Sequence, residues 1–155
     1  MAPEAGSSLS RNVDPSNFQL KPEVFRKVCF KLGYHPTLDL FATRHNKQCH
    51  QYCAWRVDPQ SKGNAFQVNW NKQTNWMNPP WDLIPKALAK LKEDKATVLA
   101  CLPVWPAKHW WRQVLHMQVG PSIQIRHQPI FRNQSGRDLY PPRWATLFTL
   151  LKGRA

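Results

Sequence analysis

The sequence predicts an α/β fold, a parallel or mixed sheet covered by helices on both faces, and three observations carry this. Apolar residues recur at helical spacing from Pro22 to Leu32 and again from Leu83 to Leu91. Short apolar runs of the kind that fill buried strands lie between and after them, the strongest from Ala96 to Val104. The two kinds of segment alternate along the chain, as they do where crossovers join the strands of one sheet.

The elements follow in order. Residues 1–10 are small and polar, so residues 1–16 are read as a disordered leader and 17–152 as one domain. Pro22 fits the first turn of a helix carrying Val24, Phe25, Val28, Cys29 and Leu32, and Gly33 fits just past its end. Thr37 to Ala42 is a short apolar run with one carboxylate, Asp39, and reads as a buried strand. Arg44 to Gln60 is polar and irregular, and Ala65 to Val68 reads as another short strand. Asn75 to Asn78 reads as a strand that Pro79-Pro80 must end, because a double proline cannot continue a ladder. Asp82 is placed to cap the next helix, whose buried stripe is Leu83, Ile84, Ala87, Leu88 and Leu91. Ala96 to Val104 is a strand, His109 to Met117 a helix, and Ser122 to Arg126 and Ala145 to Leu151 further strands.

The chain has 155 residues, of which 42% are hydrophobic, enough for one compact domain with a core. No run approaches the roughly 20 apolar residues of a membrane helix, and no basic-then-apolar signal opens the chain, so an intracellular protein is expected. The formal charge is +13, and from Lys95 onward nine Lys or Arg face a single acid, Asp138. That asymmetry suits a polyanion such as DNA, although a basic surface also simply aids solubility. Eight Trp allow base stacking beside cations, but most are expected in the core.

The run Asn78-Pro79-Pro80-Trp81 carries the most specific chemistry. An exocyclic amino nitrogen of a nucleobase is a poor nucleophile because its lone pair is delocalised into the ring. Two acceptors against its hydrogens draw density onto the nitrogen, and the Asn78 side-chain oxygen and the Pro79 carbonyl suit that task. Neither proline offers a competing backbone donor. Groups fixed in place before reaction stabilise developing charge most effectively. Trp81 supplies a flat face for a flipped base. S-adenosylmethionine is the methyl donor that such a site calls for, and its sulfonium needs no metal. Pro141-Pro142 is an internal control: Tyr140 precedes it and Arg143 follows it, so it does not match.

The neighbouring segments add to this. The stretches Leu20 to Phe25, Leu38 to Thr43 with Asn46 and Cys49, Asn64 to Phe66 with Trp70, Leu102-Pro103 with His109 to Trp111, Ile130 to Arg132, and Trp144 to Leu150 come in a familiar order. From about Phe18 to Leu151 the chain resembles the small phage-type DNA N-6-adenine methyltransferases. It is equally similar to the related domain of DIRS-type tyrosine-recombinase retroelement polyproteins, and Leu9-Ser10-Arg11 resembles the end of a reverse transcriptase–RNase H region. The resemblance implies a Rossmann-like, S-adenosylmethionine-dependent methyltransferase fold, three-layered, with a mostly parallel sheet and a C-terminal antiparallel element. It implies methylation of adenine in DNA by Asn78, Pro79, Pro80 and Trp81, with the cofactor near Asp39, Phe41 and Asn46. Partners would be DNA and, in a retroelement, neighbouring reverse transcriptase and RNase H domains. The location would be nuclear in a eukaryotic retroelement and cytoplasmic in phage or bacteria. Two positions depart from the pattern: Phe41-Ala42-Thr43 lacks the usual glycine-rich turn, and Asn64 stands where an acid is common.

Several readings stay open. Asp39 is placed either to take the cofactor's ammonium or a hydroxyl, or to cap the next turn or pair with Arg44. Lys108, Trp110 and Arg112 fit a nucleic-acid groove, although Trp110 and Trp111 point to different helix faces and one belongs in the core. Arg126, Arg132 and Arg137 are candidate phosphate contacts or a solvated basic face. His45, Cys49 and Cys53, with His50 nearby, carry ligand types for zinc, but their spacing is not that of a standard finger, and no metal is expected. Methylation of a cytosine amine, or a catalytically inactive nucleic-acid-binding domain of a retroelement, are the alternatives in function.

Overall fold

The computed structural model describes residues 18–154, so the expected leader at 1–16 lies outside the described residues. The chain begins with β1 (Phe18–Leu20) and α1 (Pro22–Leu32), followed by the two-residue strands β2 (Leu38–Asp39) and β3 (Gln51–Tyr52). A 3-10 turn (Trp70–Lys72) leads into β4 (Asn75–Met77), and a second one (Trp81–Leu83) leads into α2 (Ile84–Asp94). β5 (Thr97–Pro103), α3 (Trp111–Met117), β6 (Gln118–Ile125), β7 (Phe131–Asn133) and β8 (Thr146–Lys152) complete it.

Six strands form one sheet in the order β3-β2-β4-β5-β8-β6, while β1 pairs with β7 in a separate two-stranded ribbon. β3, β2, β4 and β5 run parallel. The longest ladder, β5 against β8, is antiparallel, and so is β8 against β6. The sheet is therefore mixed: four parallel strands, continued by the expected C-terminal antiparallel strand β8 and by β6.

Side-chain alternation along the strands divides the interior in two. Val98, Ala100 and Leu102 of β5 join Leu147 and Leu151 of β8 beneath α2 and α3. Leu99 and Cys101 point the other way, where they meet Trp76, Phe148, Val28 and Cys29 of α1, and the Phe18–Phe131 pair of the ribbon. The expected helices hold because their ends are built for them. Pro22 occupies the first turn of α1, and Gly33 closes it at φ 63°. α2 ends on Lys95, also left-handed at φ 52°, with Ala96 N–H donating back to the Leu91 carbonyl. β8 then returns past this helix end. Gly153 N–H donates to the Ala96 carbonyl, and a Cβ at Gly153 would collide with the Leu91 carbonyl.

Four expectations change. Ala65 to Val68 is a turn, because Asn64 Oδ1 captures the Phe66 N–H and Trp70 Nε1–H donates to the Ala65 carbonyl, diverting backbone groups a ladder would need. β2 stops at Asp39 rather than running to Ala42, because the Asp39 carboxylate accepts the Phe41 N–H and bends the chain. Asp82 caps nothing: α2 is entered through the 3-10 turn, with Pro85 in its first turn. The region Arg44 to Gln60 contains β3, too short to show a period. No helix among the described residues is long and apolar enough to cross a membrane.

Candidate active site

β4 lies inside the sheet between β2 and β5, and Asn78 is the first residue beyond its carboxyl end. The diproline that follows is buried and stops the ladder. The Pro80 carbonyl accepts the Leu83 N–H at 2.9 Å, closing the turn that carries Trp81. The Asn78 side chain and the Pro79 carbonyl form no hydrogen bond with any described residue. Both acceptors are left for something else.

Asn78 stands between two crevices. One, a narrow cleft of about 10 Å³, is walled by Asn78, Trp81, Cys101, Phe131, Trp144 and Thr146. Trp81, Trp105 and Trp144 meet edge to face at its mouth, with centroids 5.0 to 5.6 Å apart. Lys108 Nζ lies 5.5 Å from the Trp105 ring centroid. The other crevice, also about 10 Å³, runs from Asn78 and Trp76 past Asp39, Asn46 and Gln48 to Phe18 and Gln19 of β1.

The motif and the three expected cofactor residues therefore come together, but the latter are engaged with their own loop. Asp39 Oδ1 accepts the Phe41 N–H at 3.3 Å and its Oδ2 accepts the Gln48 N–H at 2.9 Å. Capping of the following turn is thus what this carboxylate does. Burial outweighs those donors and raises its pKa to about 7. Asn46 Oδ1 accepts the Thr43 N–H at 2.7 Å, and its Nδ2 donates to the Phe18 carbonyl, tying the loop to β1. Phe41 is buried among Trp55, Phe66 and Trp70.

A larger open hollow of about 440 Å³ lies beyond this loop, past the ends of β2 and β3. Its walls include Thr43, Arg44, Trp55, Arg56 and Asp58, and Tyr52 Oη donates to Asp58 at 2.8 Å. The sequence reading missed it because its residues fall in the stretch that shows no periodicity.

The basic candidates divide. Lys108, Arg112, Arg126 and Arg137 are exposed. Trp110 corrects an expectation: it is 2% exposed and packs with Val114 and Met117 on the inward face of α3, which removes it from any groove surface. Arg132 is half-buried and donates through Nε and Nη2 to Gln19 Oε1 at 3.0 and 2.8 Å, so it clasps β1 to β7. His45 and His50 are exposed while Cys49 and Cys53 are buried, and no group of three potential metal ligands gathers among the described residues. Burial raises Cys29 and Cys53 to about 11, Cys49 to about 12, and Cys101 further still, so none is a ready thiolate nucleophile.

A family model described as DNA N-6-adenine-methyltransferase (Dam) matches residues 14–121, more than two thirds of the chain. The chain belongs to the Dam family. Among curated proteins none gives a match. The Dam match takes in α1, β2 to β5, α3 and the Asn78-Pro79-Pro80-Trp81 run. It ends before β7 and β8, which bring Phe131, Trp144 and Thr146 to the crevice.

Proposed function

We propose that this Dam-family protein transfers a methyl group from S-adenosylmethionine to the exocyclic amine of adenine in DNA, through a Rossmann-like, three-layered domain spanning residues 17–152. One observation carries this reading: the two acceptors that the chemistry requires, Asn78 Oδ1 and the Pro79 carbonyl, have no hydrogen-bond partner among the described residues, at a strand end. The strand order supports the fold, since ligands of open α/β sheets bind beyond the carboxyl ends of parallel strands.

The residues present fit the cofactor. The hollow past β2 and β3 lies within the roughly 300–1,000 Å³ range of ligand pockets and offers the Trp55 ring and the Asp58 carboxylate to an adenosine. The crevice at Asp39 continues from the same loop to Asn78. When bound, the cofactor supplies an electrophilic methyl group. The protein orients the acceptor. A flipped base stacks against Trp81, and its amine hydrogens point to Asn78 Oδ1 and the Pro79 carbonyl. The Pro79 carbonyl is held by the diproline backbone, so the charge developing on the nitrogen meets a dipole already in place, which Asn78 Oδ1 joins when the amine binds. Lys108, Arg112, Arg126 and Arg137 neutralise phosphates of the DNA.

Labelled methyl transfer to adenine-containing DNA tests this. Asn78→Ala should lower the rate by roughly 10²-fold or more, the scale of losing one fixed electrostatic partner. A second reading, a non-catalytic nucleic-acid-binding domain of a retroelement polyprotein, is favoured by one fact: Asp39 and Asn46 already serve their own loop. It prevails if titration calorimetry detects no S-adenosylmethionine binding and Asn78→Ala leaves DNA affinity unchanged. Transfer to cytosine-only DNA would redirect the assignment to the cytosine amine.

A further inference from the structure

Thr146 opens β8, where its neighbours across the ladders are Pro103 of β5 and Ile125 of β6. It is 3% exposed, yet its hydroxyl forms no hydrogen bond with any described residue. Nor is this hydroxyl shut away from solvent, since the one fully enclosed polar side-chain atom without a partner among the described residues is Asn75 Oδ1. Thr146 instead lines the crevice that Asn78, Trp81 and Trp144 enclose. A hydroxyl this deeply placed and bonded to no described residue is left to water or to whatever enters the crevice. Asn78 is the other polar side chain of the lining, and neither it nor Cys101, Trp81 or Trp144 is hydrogen-bonded to Thr146.

We propose that Thr146 recognises the target base, its hydroxyl donating a hydrogen bond to the ring nitrogen beside the exocyclic amine. This rests on reading the crevice as the base pocket. Adenine carries a bare acceptor nitrogen next to its amine. With the amine held by Asn78 and the Pro79 carbonyl, a donor on the opposite wall engages the next atom of the same base edge. Three contacts along one edge hold the base against sliding more tightly than two contacts on the amine alone. Thr146 is thus a specificity-determining residue contributed by the part of the chain outside the Dam match.

The test pairs a protein change with a substrate change. Thr146→Val removes the hydroxyl and keeps the branched shape, and Thr146→Ser keeps the hydroxyl. On adenine-containing DNA, Thr146→Val should lose roughly tenfold in kcat/KM, the size of one neutral hydrogen bond, and Thr146→Ser should recover most of it. On DNA carrying 1-deazaadenine, which lacks the acceptor nitrogen, wild type and Thr146→Val should be equal. Equal rates on adenine, or an undiminished gap on the deaza substrate, overturn the proposal. Should wild type transfer no methyl at all, the transferase reading fails by itself. The base contact is then read from binding of a 2-aminopurine oligonucleotide by its fluorescence. A roughly tenfold weaker Thr146→Val upholds the contact, and superimposable curves overturn it.

Discussion

At Asp39, burial and hydrogen bonding compete on one side chain. Two backbone N–H groups favour its charged form, yet desolvation wins and lifts the pKa from 3.8 to about 7. The folded carboxyl therefore keeps its proton to near pH 7, while the unfolded one loses it near pH 4. Ionisation opposes folding between those values, so the stability held by the protonated form is complete below about pH 4 and falls as the pH rises towards 7. Asp39→Asn, neutral throughout, should lack that slope. Its Tm should improve relative to wild type between pH 4.5 and 7, and a constant difference across thermal melts would show an ordinary carboxylate. Legibility at this scale followed chemistry. The Asn78 run was readable because its residues are adjacent and each does a named task. Thr146 was not, because its meaning comes from standing across the sheet from Asn78, 68 positions earlier in the sequence.

At the scale of elements, what periodicity can express was legible. α1, α2 and β5 carry long apolar patterns and lie within three residues of where the sequence puts them. β1, β3 and β7 are two or three residues long and carry no period, so they emerge only from their pairing. Ala65 to Val68 looked like a strand because Ala65, Phe66 and Val68 are apolar, but Asn64 had already spent the backbone donor on a turn. Gly153 makes an element-scale prediction. It lets the end of β8 lie against the last turn of α2, with no room for a Cβ at the Leu91 carbonyl. Gly153→Ala should cost about 1–3 kcal/mol through forced separation of strand and helix. Denaturant titration measures it, and an unchanged midpoint would mean the two elements part freely.

For the whole molecule, the charge of +13 was plain in the composition, but which cations are available to a polyanion was not. Lys108, Arg112, Arg126 and Arg137 face solvent, whereas Arg132 is committed to Gln19. Alanine at any of the four exposed cations should reduce the slope of log affinity against log salt by about 1. Arg132→Ala should instead lower stability by about 1 kcal/mol and leave that slope alone. Fluorescence anisotropy over a salt series separates the two patterns, and an Arg132→Ala slope change would return that residue to the DNA surface.

The Arg132–Gln19 clasp also bears on how the molecule comes together. It joins residues 113 positions apart, so closing that span costs roughly 4 kcal/mol of chain entropy before any contact repays it. Phe18 and Gln19 line one crevice at Asn78, and Phe131, the partner of Leu20 across the ribbon, lines the other. During synthesis the Asn78 strand end therefore leaves the ribosome long before Phe131, Trp144 and Thr146, which wall the crevice beside Trp81. A chain cut after residue 121, where the family match stops, would keep every residue of the motif and lose Phe131, Trp144 and Thr146 from the crevice beside Trp81.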